Sequence, residues 1–383
     1  MFDLKSNLEH KRRAGLYRQR LINTSAQGVR PTIDGQTLLS FCSNDYLGLA
    51  NHKKIKQAFI QAVETYGVGS GAAHLISGHS RLHHDCEQRL AEFTGRERAL
   101  LFSTGYLANL GIASALLGRH DFVYQDRLNH ASLIDAAKIS GARLVRYRHN
   151  DTAQLAALLQ QNRAESRKLV MTDGVFSMDG DCADLAEIAR ISAQHQGWCM
   201  VDDAHGFGVL GKTGAGLLEQ LGLSQKQVPI LMATLGKAVG TAGAFVAGSD
   251  DLIETLIQQA RPYIYTTAAP PAIAAATLCS LDIIERETWR REKLQELIGY
   301  FRERMAAIEV ELMPSDTAIQ PIVIGDDNRV LELGKNLMRE GIHVGAIRPP
   351  TVPVGSARLR VTLSAAHEKS DIDQLVNTLG QLL

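Results

Sequence analysis

The sequence predicts an α/β fold, with a large, mainly parallel sheet covered by helices and a smaller α+β domain after it. Three observations carry the prediction. Between residues 99 and 247, short apolar runs alternate with helical stretches, which is the rhythm of βαβ units. After Pro270-Pro271 that rhythm stops, and a long helical stretch leads to two more strand-like runs. The chain is also long enough, at 383 residues of which 45% are apolar, to bury a sizeable core in two or three domains.

Taken in order, residues 1–25 read as helical, and Ile33-Asp34-Gly35-Gln36 as the turn of a short hairpin ending at Phe41. A helix from about His52 runs into the glycine-rich loop Gly67-Val68-Gly69-Ser70-Gly71. The predicted strands of the sheet are Ala99–Phe102, Phe122–Tyr124, Arg143–Tyr147, Leu169–Thr172, Cys199–Val201, Ile230–Ala233 and Ala244–Ala247. A helical stretch through about Ile308 then precedes strands at Gln320–Ile324 and Arg358–Leu363. These elements divide the chain into an N-terminal helix and hairpin segment (1–45), a large α/β domain (46–275) and a smaller α+β domain (276–383). In open α/β sheets ligands bind beyond the carboxyl ends of the strands, so the residues just after each run are the ones to inspect.

Composition narrows the function. With 41 Lys+Arg against 41 Asp+Glu, the chain lacks the excess positive charge expected of a nucleic-acid binder. Cys42, Cys86, Cys182, Cys199 and Cys279 form no C-x-x-C pair, which fits free thiols in a reducing compartment. Met1-Phe2-Asp3-Leu4-Lys5 opens no apolar leader, and the weakly charged stretch Leu231–Ser249 contains Lys237 and four glycines, a poor membrane span. A soluble, cytoplasmic protein is expected.

Gly206-Phe-Gly-Val-Leu-Gly211-Lys212-Thr213 matches a phosphate-loop pattern. Asp202, Asp203 and His205 intervene between strand and glycines, and those carboxylates would repel a polyphosphate; a P-loop nucleotide-binding protein is the alternative from another class. No serine has a nucleophile-elbow setting, and the cluster His79, His83, His84, Asp85 lacks a metal-site spacing. What remains is Asp202 and His205 after a strand, followed by Lys237 in Ala233-Thr-Leu-Gly-Lys-Ala-Val-Gly240. Pyridoxal phosphate needs such a set: a lysine for the Schiff base and an acid for the ring nitrogen. An apolar, glycine-rich setting would lower the pKa of Lys237 and favour its neutral amine, whereas an ordinary lysine would be exposed.

At these residues the chain resembles the α-oxoamine synthases, fold-type I pyridoxal-phosphate enzymes built like aspartate aminotransferase, which join an amino acid to an acyl thioester with loss of carbon dioxide. The resemblance covers almost the whole chain. It is carried by Ser43-Asn-Asp-Tyr-Leu-Gly-Leu49, Asp126-Arg-Leu-Asn-His-Ala-Ser132, Asp173-Gly-Val-Phe-Ser-Met-Asp-Gly180, Val201-Asp-Asp-Ala-His-Gly206, Thr234-Leu-Gly-Lys237 and Arg358-Leu-Arg-Val-Thr362. Ile347-Arg-Pro-Pro-Thr-Val-Pro353 and the compact length are most similar to members that use L-alanine and a pimeloyl thioester, carried by acyl carrier protein or coenzyme A, in biotin biosynthesis. Siblings differ mainly in substrate; one is glycine C-acetyltransferase.

The resemblance implies a role for each residue. Lys237 would bind the cofactor and act as general base, Asp202 would hold the ring nitrogen, and His205 and Ser177 would face the phenolic oxygen. His130 would stack on the ring; a buried helix-start histidine is the alternative reading. Gly105, Tyr106 and Thr234 would hold the phosphate, joined by Thr267 from a second subunit of a homodimer. Arg360, assisted by Asn44, would grip the amino acid carboxylate; the alternating strand equally allows Arg358 and Arg360 to face solvent at a sheet edge. Arg18 would meet the far end of the acyl chain. No metal, nucleic acid or membrane is implied.

Overall fold

A computed structural model describes residues 2–13, 15–161, 166–308 and 310–383. All seven runs predicted as strands of the large sheet join one seven-stranded sheet, in the order Arg98–Phe102, Ala244–Gly248, Ile230–Thr234, Trp198–Asp202, Lys168–Asp173, Phe122–Asp126, Arg143–Tyr147. Ala244–Gly248 runs antiparallel to both neighbours, and every other pairing is parallel. The central apolar runs are continuous because both faces are covered: every residue of Lys168–Asp173 is buried, whereas the edge strand Arg143–Tyr147 exposes Arg143 and Arg146. Side chains alternate between two cores, with Ala99, Leu101, Val170, Cys199 and Val201 in one and Leu100, Phe102, Leu169, Met171 and Met200 in the other.

Register places the strand ends together. Asp173 pairs with Asp202, and Ala244 lies between Thr234 and Phe102, so Phe102, Asp126, Asp173, Asp202 and Thr234 all stand at one edge of the sheet. The chemistry gathers there.

A second sheet is antiparallel, in the order Glu311–Leu312, Ile319–Gly325, Ala357–Thr362, Gly345–Ile347. The N-terminal segment joins this part of the molecule, because Leu39–Ser40 pairs in parallel with Ile342–His343. Ala357–Thr362 has a strand on each side and all six residues buried, which removes the edge-strand reading of Arg358 and Arg360.

Two predicted helices come out differently. The N-terminal helix spans only Leu4–Arg13; Gly15 adopts φ +65°, and an irregular path leads to the hairpin of Thr32–Ile33 and Gln36–Thr37. Met1 and Ala14, also within that predicted helix, lie outside the described residues. The stretch after Pro270 is two helices, Pro271–Arg286 and Trp289–Met305. Glu287 leaves helical backbone at φ −98°, ψ 58°, and Arg291 Nη1 caps the first helix by donating to Ile284 O at 2.6 Å. Among the described residues no helix is long and apolar enough to cross a membrane.

Candidate active site

Lys237 is carried by the loop between the antiparallel strands Ile230–Thr234 and Ala244–Gly248. Three backbone bonds close that loop at 2.9 Å: Leu235 N–H to Gly243 O, Thr241 N–H to Leu235 O, and Gly240 N–H to Lys237 O. Gly240 adopts φ +72°, and a Cβ there would stand 2.6 Å from the Ala50 nitrogen, so only glycine allows this approach to the Ser43–Leu49 segment. The Lys237 Nζ lies 2.8 Å from His205 Nε2. Burial, aided by the Arg360 charge and opposed by Asp202 and Asp173, pushes its pKa down to about 8.

Asp202 ends its strand, buried, and accepts from Asn109 Nδ2 (2.9 Å) and from the Ala204 N–H (3.1 Å). Asn109 also donates to Ser132 Oγ, 2.8 Å away, and Ser132 contacts His130 Nδ1 at 2.7 Å. His130 is not buried, as the alternative reading had it: the residue is exposed at the start of helix Ala131–Ser140, while its N–H donates to Asp173 Oδ2 at 2.6 Å. Burial and the neighbouring Asp202 raise the Asp173 pKa well above the carboxylate range. His205 is buried, and its pKa is driven well below the ordinary value by burial and then by the charges of Lys237 and Arg360, so it stays neutral.

Helix Gly105–Leu116 begins at this edge of the sheet. Thr104 Oγ1 takes the Leu107 N–H at 3.2 Å, which leaves the Gly105 and Tyr106 N–H groups at an end where helical acceptors do not exist. Thr234 accepts from the Gly236 N–H (3.3 Å) and donates to Gly243 O (3.1 Å). Thr267 is exposed and bridged through its backbone to Ala73; no described contact joins it to the Lys237 cluster.

The two arginines of strand Ala357–Thr362 divide their work. Arg358 is paired with Asp179 at 2.6 Å. Arg360 donates to Ser177 O (2.6 Å) and Thr362 Oγ1 (2.8 Å) and reaches Asn44 Oδ1 at 3.4 Å, and among the described residues no carboxylate pairs with it. It is therefore a buried cation without a carboxylate partner among the described residues. On the neighbouring strand, Ala346 and Ile347 lead into a cavity of about 330 Å³ lined by Lys11, Arg18, Arg348 and Thr351.

The set offers a lysine amine of lowered pKa, a strand-end carboxylate, unpaired helix N–H groups and a neutral histidine. This donor set fits a phosphorylated pyridine aldehyde. The phosphate-loop pattern does not survive: Gly206–Thr213 is a run of turns, Lys212 is exposed, and the Glu219 carboxylate takes the Thr213 and Ala215 N–H groups at 3.0 Å. The chain's own acid fills that nest. His74, His79 and His83 gather within 4.8 Å, but His83 is committed to Ser80 and to Ala269 O.

Sequence reasoning missed Asn109, Tyr46, Lys11 and Arg348. Asn109 was visible only as the one amide in an otherwise apolar helix, and Tyr46 as part of the Ser43–Leu49 motif. Tyr46 stands 2.5 Å from His205 Nδ1.

The family model for aminotransferase class I and II matches residues 36–379. The 8-amino-7-oxononanoate synthase of Pseudomonas aeruginosa (strain LESB58) is 59% identical over 380 residues, which are 99% of this chain and 94% of that protein. The serine palmitoyltransferase of S. paucimobilis, solved with a bound PLP–myriocin aldimine, superposes with a TM-score of 0.93 at 29% identity, covering 99% of this chain and 96% of that one. The 8-amino-7-oxononanoate synthase of Francisella tularensis gives a TM-score of 0.80 at 34% identity, covering 90% and 97%.

Proposed function

The chain belongs to the class I and II aminotransferase family, and on that premise we propose that it is a pyridoxal-phosphate-dependent acyltransferase of biotin biosynthesis. It condenses L-alanine with a pimeloyl thioester, giving 8-amino-7-oxononanoate, carbon dioxide and the free carrier thiol. The observation that carries this reading is the 59% identity, across 99% of this chain, to the Pseudomonas synthase.

When bound, pyridoxal phosphate supplies an electron sink that stabilises negative charge at the amino acid Cα. Lys237 attaches the cofactor and later takes and returns the Cα proton, for which a pKa near the working pH is suited. Asp202, fixed by Asn109, holds the proton on the ring nitrogen. His205 and Ser177 would hold the phenolic oxygen, and the ring of His130 would cover the face of the pyridine. Gly105, Tyr106 and Thr234 bind the phosphate, with Thr267 supplied by a second copy in a homodimer. Arg360 and Asn44 bind the alanine carboxylate, a bidentate task for a buried guanidinium. The basic cavity of Lys11, Arg18 and Arg348 suits the free carboxylate at the far end of the pimeloyl chain. The large domain, 46–275, carries the cofactor-binding residues, and 1–45 with 276–383 supply the substrate-binding Arg18, Asn44 and Arg360. The enzyme works in the cytoplasm, with acyl carrier protein or coenzyme A as the carrier and with no membrane or nucleic acid partner.

Purified protein supplied with L-alanine and either pimeloyl thioester tests this by mass spectrometry of the product. Formation of 8-amino-7-oxononanoate, lost in Lys237→Ala and with a raised KM for alanine in Arg360→Met, is expected. Product from glycine or serine in preference to alanine would assign the chain to a sibling activity.

A further inference from the structure

Tyr46 has none of the roles above, yet it occupies the middle of the site. Its side chain is buried, 1% exposed, and its backbone is anchored by its N–H to Asn44 O and by the Ala365 N–H to its own carbonyl, both 2.8 Å. Its hydroxyl lies 2.5 Å from His205 Nδ1 and 3.3 Å from Asn44 Oδ1. Beyond His205 stands Lys237 Nζ, 2.8 Å from Nε2, and on the other side Arg360 reaches Asn44 and also donates to the Tyr46 oxygen, which keeps a lone pair for it in either arrangement of the His205 proton. One chain of polar contacts therefore runs from the lysine amine to the substrate-binding arginine.

The donors and acceptors along that chain have few solutions. Arg360 only donates and the Asn44 oxygen only accepts. Besides Tyr46 itself, burial and the neighbouring Lys237, Arg360 and His130 all disfavour a second ring proton on His205. A neutral imidazole has one N–H. With the Lys237 ammonium donating to Nε2, that proton must sit on Nδ1 and point at the Tyr46 oxygen, and Tyr46 passes its own proton toward Asn44. With an anionic oxygen against Nε2 in place of the ammonium, Nε2 must carry the proton, and the Tyr46 hydroxyl turns to donate to Nδ1. A hydroxyl satisfies both arrangements, and an aromatic ring without one satisfies neither.

We propose that Tyr46 is a positioning residue that allows His205 to change tautomer, offering a lone pair to Lys237 in the free protein and an N–H to the cofactor's anionic oxygen once it is bound. Only the second half rests on the cofactor reading above.

The test uses full-length protein labelled with 15N-histidine, with the His205 signals assigned from His205→Asn. Long-range proton–nitrogen spectra are recorded before and after pyridoxal phosphate is added. The wild type is expected to show Nδ1–H when free and Nε2–H when loaded. Tyr46→Phe should show one unchanged tautomer in both states and bind the cofactor about tenfold more weakly, the loss expected from one hydrogen bond to a buried partner. A purely structural role would lower the melting temperature of the variant and leave both tautomers as in the wild type. That result, or a free wild-type protein with Nε2–H, overturns the proposal. If Tyr46→Phe does not fold, the wild-type pair of spectra still decides. If no cofactor is taken up, the cofactor reading falls, and the free-protein tautomer judges the role of Tyr46 by itself.

Discussion

Acidifying the solution should slow the capture of pyridoxal phosphate by cofactor-free protein, because the attacking group is the neutral Lys237 amine. Burial moves this group from an ordinary 10.5 to about 8. At pH 7 a pKa of 8 leaves about one tenth of the amine neutral, against about three parts in ten thousand for an unshifted lysine, so the site gains roughly 300-fold in reactive amine. Stopped-flow measurement of the visible Schiff-base band between pH 6 and pH 10 reads this directly. The rate should climb about tenfold per pH unit below the midpoint and level off above it. Signs follow from the neighbours. Arg360→Met removes a charge that lowers the pKa and should move the midpoint up, whereas Asp202→Asn removes one that raises it and should move the midpoint down. A rate still climbing steeply at pH 10, or equal capture by Lys237→Ala, refutes the reasoning.

Three more outcomes are expected. His149 lies between Asp126 (3.1 Å) and Asp181 (2.8 Å); burial alone would lower its pKa, but hydrogen bonds and charge from both acids raise it to about 10. A folded pKa above the unfolded value gives stability that is complete below about pH 6.5 and lost as pH rises through about 10. The thermal-stability gap between wild type and His149→Gln, about 2 kcal/mol at pH 6, should therefore close by pH 10, and a gap independent of pH would contradict the pairing. Gly240→Ala should cost about 2 kcal/mol or more by denaturant unfolding, since a side chain at φ +72° would collide with the Ala50 nitrogen; an unchanged midpoint would contradict the close approach. Lys212→Ala should leave product formation unchanged, because Glu219 already occupies the turn that resembles a phosphate loop; loss of activity on its removal would revive the nucleotide reading.

The middle of the sheet was legible because its strands are buried on both faces, which makes them continuous apolar runs such as Leu169-Val-Met171; the edge strand Arg143–Tyr147 exposes both its arginines and shows the weaker signal. Lys237 was legible for a related reason, as a lone charge within an apolar, glycine-rich stretch. Strand Ala357–Thr362 was half legible: alternation separates Arg358 and Arg360 from the leucines, but it cannot tell a solvent-facing row from a buried one when both faces are covered. Only the contact with Asp179 distinguishes the structural arginine from the available one. Asn109 and Tyr46 act on residues 93 and 159 positions away, so nothing local marks them. The overlong N-terminal helix came from reading basic and apolar residues through Gly15, whose positive φ ends it.

The amino acid that reacts at the Lys237 site decides which member of the family this chain is. Titrating the cofactor-loaded protein with L-alanine, glycine and L-serine, and following the visible absorbance, tests it most directly. A saturable spectral change is expected with L-alanine at the lowest concentration, absent in Lys237→Ala and weakened in Arg360→Met. A response to glycine or serine with none to alanine would contradict it.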